Sequence, residues 1–534
     1  MRTPILTLLC LFLLVLSLPK GFAPCTAGAA CGPNIPADLS GDCHVDFNDF
    51  AIMASDWLKP AVAHEWVARY NSPSNDNDYA TAIAIDNNDN IYVTGYSVGS
   101  GTHCDYATVK YSPDSNQPLW VARYNGPGND DDYAKAIAID SNDNIYVTGY
   151  IDDYSTDYDY TTIKYAPDSN KAVWVARYNG LGNGKDYANA IAIDGSNNIY
   201  VTGESCYSSG TISSVGYATT KYSPDSNEAV WFARYTGPVH DASARAIAVD
   251  SSDNIYVTGI SAGSGTGPDY ATIKYSPDSN EAVWVARYNA HSNSFDGARA
   301  IAIDSNNNIY VTGKSEGIGT FYDYVTIKYS PDSNEAVWVA RYNGPENGSD
   351  IPEAIAIDGS DNVYVTGSSM SSPGVFDYAT IKYSPDSNQP TWIARYNSHS
   401  SGFGAACAVA VDSNNNIYVT GRSLSPTLDN TDYVTIKYAP DSNQPVWVAR
   451  YNNSGDWAEA IAVDSNNNIY VTGYSYDSAT GKDYATVKYS PDYSCTPPVT
   501  GDFDHDCDVD IYDLEVFCQS WLECNLDPPQ DCWQ

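Results

Sequence analysis

Two short acidic stretches, one near each end of the chain, carry the side chains best spaced for chemistry. Asp38, Ser40, Asp42, His44, Asp46 and Asp49 stand at positions 1, 3, 5, 7, 9 and 12 of a twelve-residue loop. Asp502, Asp504, Asp506, Asp508, Asp510 and Asp513 repeat that register. Oxygen ligands so spaced suit Ca²⁺, with position 7 acting through its backbone carbonyl. Six aspartates within one loop repel one another, so the second loop is expected to fold together with its cation. Both loops depart from the usual pattern. Cys43 or Cys507 replaces glycine at position 6, and an aspartate closes position 12, where a shorter side chain makes bidentate ligation harder.

Each loop runs into apolar residues at helical spacing: Phe50, Met53, Ala54, Trp57 and Leu58, then Leu514, Phe517, Cys518, Trp521 and Leu522. A calcium loop followed by one helix resembles half of a dockerin type I module. That resemblance implies a secreted protein anchored to a cohesin-like or cell-surface partner. Dockerin halves normally stand in tandem, whereas these lie at opposite ends. The connectors 59–65 and 492–500 each reach roughly 20–30 Å at about 3.3 Å per residue, enough for the halves to pair.

What must position these ends is the long middle of the chain. The run from Ala136 to Gly149 (Ala-Ile-Ala-Ile-Asp-Ser-Asn-Asp-Asn-Ile-Tyr-Val-Thr-Gly) recurs from Ala82, Ala190, Ala246, Ala300, Ala354, Ala408 and Ala460. Self-similarity at a fixed period marks a solenoid or a propeller. Alternation and turn residues divide the second copy into strands a (Ala136–Asp140), b (Ile145–Thr148), c (Asp159–Tyr165) and d (Trp174–Tyr178). Asx-rich and Ser-Pro-Asp-Ser-Asn turns join them, so they form antiparallel four-stranded meanders. The first copy to appear is a lone strand d, Trp66–Tyr70, and the last ends on strand c, Tyr484–Tyr489. The orphan strand completes the eighth blade and closes the ring. The repeat unit resembles the SBBP-type bacterial β-propeller repeat, which implies a fold but no particular ligand.

Loop lengths separate the two faces. The a–b and c–d turns keep one length in every copy, whereas the b–c and d–a loops vary, as in Gly203 to Gly216 against Gly149 to Asp159. The variable loops share a face, which is therefore the expected recognition surface, with Tyr154 and Tyr207 as candidate contacts. Asp152, Asp153, Glu204 and Glu316 in those loops are candidates for a glycosidase-like carboxylate pair. His44, His64, His240, His291 and His399 occupy no shared repeat position. The recurring Lys (Lys110, Lys164) and Arg (Arg123, Arg177) are expected to serve blade packing or to pair with the recurring Asp105 and Asp159. No Ser-His-Asp order, HExxH, GxSxG or P-loop is present.

Composition narrows the class further. A formal charge of −39 disfavours nucleic acid and anionic membranes as partners. Arg2, the apolar run Ile5 to Leu18, and Ala27-Gly28-Ala29 read as an export signal, with cleavage after Ala23 an alternative. Cys25, Cys31, Cys43, Cys495, Cys507, Cys518, Cys524 and Cys532 cluster in the flanks, as disulfides outside the cytoplasm would. Cys104, Cys206 and Cys407 fall in different blades and are read as incidental. The expected organisation is a signal (1–29), a loop–helix half (30–58), a linker (59–65), the propeller (66–491), a linker (492–500) and a second half (501–534). The fold class is all-β, an eight-bladed propeller closed by an N-terminal outer strand, with small α-helical calcium modules at both ends. The expected function is a secreted, calcium-binding, non-enzymatic scaffold or binding protein without a membrane span. The alternative is a polysaccharide-degrading enzyme or its carbohydrate-binding subunit.

Overall fold

Alternation of small and branched residues, Asx turns and a glycine after each Val-Thr pair give the middle of the chain thirty-two strands in eight four-stranded sheets. The computed structural model describes residues 64–491 apart from 210–211, 291–294, 397–401, 425–429 and 452–454. Blades 1 to 7 span residues 78–124, 132–178, 186–235, 242–288, 296–342, 350–396 and 404–451. Blade 8 combines residues 457–489 with Trp66–Tyr70, which pairs antiparallel with the last strand from Trp66 opposite Lys488 to Tyr70 opposite Tyr484. The ring closes as the strand count requires.

One expectation is corrected. Among the described residues the fold is all β, with no helix, so the helical calcium modules have no support and the fold class reduces to the propeller. Their apolar periodicity ran for only nine residues at each end, Phe50 to Leu58 and Leu514 to Leu522, which is too short to specify a helix by itself. The twelve loop residues Asp38 to Asp49 and Asp502 to Asp513 lie outside the described residues, as do the clustered cysteines.

Three contacts recur at every seam between blades. The strand-c tyrosine donates to a strand-c carbonyl of the next blade, as Tyr106 to Thr161 at 3.2 Å and, across the closing seam, Tyr484 to Ala107 at 3.1 Å. The strand-c lysine donates to a proline carbonyl of the next c–d turn, as Lys110 to Pro167 at 3.0 Å and Lys488 to Pro113 at 3.1 Å. The a–b turns are linked in a circle from Asn87 to Asp143 round to Ser465 and Asp89. Within each turn the leading aspartate is saturated by its own loop. Asp86 accepts from the Asn88 and Asn90 amides at 2.9 Å each and from the Tyr92 hydroxyl at 2.9 Å. These carboxylates fold the turn and have no capacity left for a metal.

The recurring cations are thus structural, with one revision. Arginine pairs with the strand-c aspartate as expected, Arg123 with Asp105 at 2.9 Å and Arg287 with Asp269 at 2.8 Å. In blade 2 Arg177 turns instead to Asp153 at 3.5 Å. The serine that holds the guanidinium elsewhere, such as Ser97, is Ile151 there. The lysine's closest partner is a carbonyl, and its nearest carboxylate, Asp86, lies at 3.9 Å from Lys110.

Strand a starts earlier than the alternation indicates, at Asp132 rather than Ala136 in blade 2. The first residue of that extension is a fully buried aspartate in five blades, and the buried Asp456 stands just ahead of strand a in blade 8. Burial pushes the carboxyl of Asp132 up to about 7 and those of Asp78 and Asp186 up to about 6. Burial likewise pushes Asp159 up to about 6. Such groups keep protons in the fold that the unfolded chain releases, so their contribution is whole below about pH 4 and is lost as pH rises through 6–7. Thermal unfolding at pH 5 and pH 8 should therefore give the higher midpoint at pH 5. Asp132→Asn, which cannot ionise, should reduce the difference; a midpoint that rises with pH over this range would contradict the sign.

Candidate functional site

The innermost strands are where the eightfold repetition breaks. In every blade the a–b register slips by one residue, as between Ala80 and Ala82 in blade 1 and Ala134 and Ala136 in blade 2. A β-bulge of this kind leaves one side chain unopposed and re-aims it. Those eight side chains are Thr81, Lys135, Asn189, Arg245, Arg299, Glu353, Cys407 and Glu459. Neighbouring a strands touch all round the ring, which places them at the axis. Arg245 and Arg299 are nonetheless exposed, so solvent reaches them through the central channel. Three of the small members bridge to the next blade: Thr81 to Ala134 at 3.0 Å, Asn189 to Ala244 at 2.8 Å and Cys407 to Ala458 at 3.1 Å. Cys407, read as incidental from sequence, is thus a member of the axial ring.

The channel opens on the face of the variable loops. In blades 1 to 7 the end of the b strand is tied to the d–a loop before it, as Asp152 to the Asp131 carbonyl at 3.1 Å and Cys206 to that of Lys185 at 2.9 Å. The long run of touching rings lies on one side of this mouth, and only isolated pairs, Phe295 with Tyr322 and Phe376 with Phe403, stand on the other. Trp457 stacks on Tyr474 with ring centres 5.8 Å apart, Tyr474 meets Tyr79 at 5.0 Å, and Tyr79 stacks on Tyr96 at 4.9 Å. The series continues from Tyr96 to Tyr133 at 4.8 Å, Tyr133 to Tyr150 at 5.3 Å and Tyr150 to Tyr187 at 4.8 Å. Seven rings from blades 8, 1, 2 and 3 form this half-buried arc. The same positions in blades 4 to 7 hold Ser243 and Ile260, Gly297 and Lys314, Ile351 and Ser368, and Ala405 and Arg422. Edge and tilted packing holds each ring in place, and what remains exposed is an apolar platform edged with hydroxyls.

Cations are interleaved with the rings. The Lys135 ammonium lies 5.6–5.8 Å from the centres of Tyr96, Tyr133 and Tyr150, and Lys482 lies 4.9 Å from Tyr79 and 4.5 Å from Tyr474. The Arg422 guanidinium lies against Trp457 at 3.0 Å. Burial pushes the Glu459 carboxyl up to about 7, against the pull of Arg422, Lys135 and Arg299. Arg299 binds Glu353 at 2.6 Å. The arrangement can hold a polar ligand by stacking, hydroxyl contacts and charge together.

The candidates read from the loops fare differently. Tyr154 is 79% exposed at the tip of the blade 2 b–c hairpin, and Tyr207 lies on strand b of blade 3; neither is part of the arc's ring series. Asp152 and Asp153 belong to blade 2, Glu204 to blade 3 and Glu316 to blade 5, so the proposed carboxylate pair is spread over three blades. The exposed His103, beside the mouth, sits 3.8 Å from Asp130 and 3.9 Å from Asp131, both half-buried. The ring residues themselves were present in the sequence as the one varying letter before each Ala-Ile-Ala-Ile run: Thr, Lys, Asn, Arg, Arg, Glu, Cys and Glu.

Comparison with known proteins bears on the repeat and the fold. The beta-propeller repeat SBBP matches residues 65–101, 119–155, 173–205, 283–319, 337–374 and 446–478. Each match starts within one residue of the beginning of a strand d and extends into or just past the b strand of the following blade. The uncharacterized WD repeat-containing protein L264 of Acanthamoeba polyphaga mimivirus is 26% identical over 492 residues, covering 77% of this chain. The chain spans only 32% of that relative's length. Among solved structures, Sqt1 from Chaetomium thermophilum superposes with a TM-score of 0.52 at 11% identity, covering 80% of this chain and all of that one. Hydrazine synthase of Kuenenia stuttgartiensis gives 0.41 at 10% identity over 63% of this chain and 91% of its own. At such identities the Sqt1 likeness speaks for the fold alone.

Proposed function

We propose, starting from SBBP repeats closed into an eight-bladed ring, that the chain is a binding and scaffolding protein whose propeller holds a carbohydrate at the aromatic mouth. The carrying observation is the one-sided arc from Trp457 to Tyr187 in a fold whose seam contacts repeat eightfold. Residues that serve the ring recur in every blade; residues that serve a ligand have no reason to. Sugar rings offer an apolar face to an aromatic platform and hydroxyls to its polar edges, which is the chemistry the arc presents.

Calorimetric titration with plant and microbial cell-wall oligosaccharides tests this reading. Tyr133→Ala and Tyr150→Ala should each weaken binding at least about tenfold, the equivalent of 1.4 kcal/mol. Binding that survives both substitutions unchanged would place the ligand elsewhere.

Export, calcium and a tether are proposals of a different kind, since their residues lie outside the described part of the chain. They rest on the apolar run after Arg2 and on the register of Asp38 to Asp49 and Asp502 to Asp513. In this reading the two acidic loops bind Ca²⁺ and attach the propeller to a cohesin-like or cell-surface partner. Ca²⁺ titration of the full chain should then reveal two sites, and failure to bind Ca²⁺ would remove the tether's basis.

A further inference from the structure

The distribution of positive charge narrows the ligand. The chain has 66 acidic and 27 basic residues. Sixteen of the basic ones are the recurring strand-c lysines and strand-d arginines that hold the blades. Among the described residues eight cations remain, and all but Lys171 gather at the channel and its mouth. A strongly acidic protein that concentrates its spare cations at one opening has built a local field opposite to its global one.

Three of these cations lie together on blades 4 and 5. Arg245 is exposed on the innermost strand and has no hydrogen-bond or ion partner among the described residues. Lys314 rests on the rings of Phe295 at 4.7 Å and Tyr322 at 4.4 Å, and it has no ion pair among the described residues. Arg299 shares Glu353, at 2.6 Å, yet stays exposed. Arg299 and Arg245 both lie within electrostatic reach of Lys314. Burial lowers the proton affinity of Lys314, Glu353 opposes that, and Arg299 and Arg245 lower it further. Glu353 supplies one carboxylate to three cations, so a second anion is still favoured there, and planar guanidinium groups match a carboxylate or sulfate in two-pronged fashion.

We propose that the mouth takes an acidic sugar, whose carboxylate or sulfate ester sits at Arg245, Arg299 and Lys314 while adjoining units stack on the arc from Trp457 to Tyr187. This rests on the carbohydrate reading above and names the ligand class within it. The charge of −39 repels a long polyanion at a distance, and salt screens that repulsion beyond about 8 Å at physiological ionic strength, so short oligosaccharides are favoured. Uronates and sulfated sugars share the chemistry that the three cations recognise.

The test uses the full chain, calorimetry, and three probes of matched length: a neutral glucan oligosaccharide, an oligogalacturonate and a sulfated galactan oligosaccharide. At least one acidic probe should bind about tenfold or more tighter than the neutral one, as charge-assisted hydrogen bonds require. Which acidic probe is preferred distinguishes carboxylate from sulfate. The double variant Arg245→Gln, Arg299→Gln should erase that preference and flatten the salt dependence while neutral-probe binding persists, and the single variant Arg245→Gln, which breaks no ion pair, should reduce the preference without lowering the thermal midpoint. Equal binding of neutral and acidic probes overturns the proposal but leaves the carbohydrate reading standing. An acidic preference that persists in the double variant also overturns it, as does polyglutamate or an oligonucleotide binding more tightly than any sugar. Absence of binding to all three sugars removes both readings.

Discussion

Deleting the chain through Tyr70 is expected to open the ring and lower the unfolding midpoint by more than about 10 °C, or to leave only aggregated protein. The strand Trp66–Tyr70, five residues against seven in the other blades, repeats the tryptophan, arginine and tyrosine contacts of a strand d. Trp66 donates to the Pro113 carbonyl at 3.2 Å and packs on Tyr470 and Tyr111, at 5.8 Å and 6.2 Å between ring centres. Arg69 binds Asp483 at 3.1 Å, and Tyr70 meets Tyr484 at 5.3 Å. Losing a half-buried tryptophan alone costs about 3 kcal/mol. Deletion also bares the edge of Gly481–Tyr489, a nine-residue strand rich in β-formers and free to pair with another chain. Transplanting Glu65–Tyr70 behind Tyr489, through the Ser-Pro-Asp-Ser-Asn turn used by the other blades, should restore a soluble monomer. A truncated chain with an unchanged midpoint would show that the closing strand is dispensable.

The second large effect is expected from Gly149→Val. The strand-a bulge brings the Tyr133 carbonyl directly over this glycine, where any Cβ would collide with backbone and lie 2.8 Å from the Tyr106 hydroxyl. Neither obstacle is a flexible side-chain end. The Tyr106 hydroxyl is itself fixed by its bond to Thr161 across the seam. A substitution must therefore break the bulge or the seam, at a cost of about 3 kcal/mol or more. Gly195→Ser is the control. Its position is held by Asn87, Ser141 or Ser251 in sibling turns, and the change should stay within about 0.5 kcal/mol. Comparable midpoints for the two variants would mean that the bulge is not rigid.

How much of this was legible beforehand depends on the kind of signal. Trp66–Tyr70 as the closing strand followed from counting, because a missing strand d and an orphan strand d are visible in a repeat without coordinates. The division into a constant and a variable face followed from loop lengths in the same way. The start of strand a was misread because the bulge at Lys135 interrupts the two-residue period, so Asp132 to Ala134 looked like loop. The lysine's carbonyl partner was hidden because backbone acceptors leave no trace in sequence. The candidate site was passed over for a subtler reason. Lys135, Arg245 and Glu459 each sit one residue ahead of a conspicuous repeat, and the eye follows what recurs rather than what varies beside it. Tyr133 and Tyr150 are far apart in the chain from Trp457, and only ring closure sets them in one arc. Helices predicted from nine-residue runs at the ends rested on periodicity too short to carry them.

Hydroxyl-radical footprinting of the full chain, with and without a bound oligosaccharide, tests the central claim most directly. The account predicts protection of Tyr79, Tyr96, Tyr133, Tyr150, Tyr474 and Trp457, with no change at the exposed outer-strand residues Val173, Val283 and Val337. Protection of those outer valines, or of the a–b turns on the opposite face, with the arc left reactive, would contradict it.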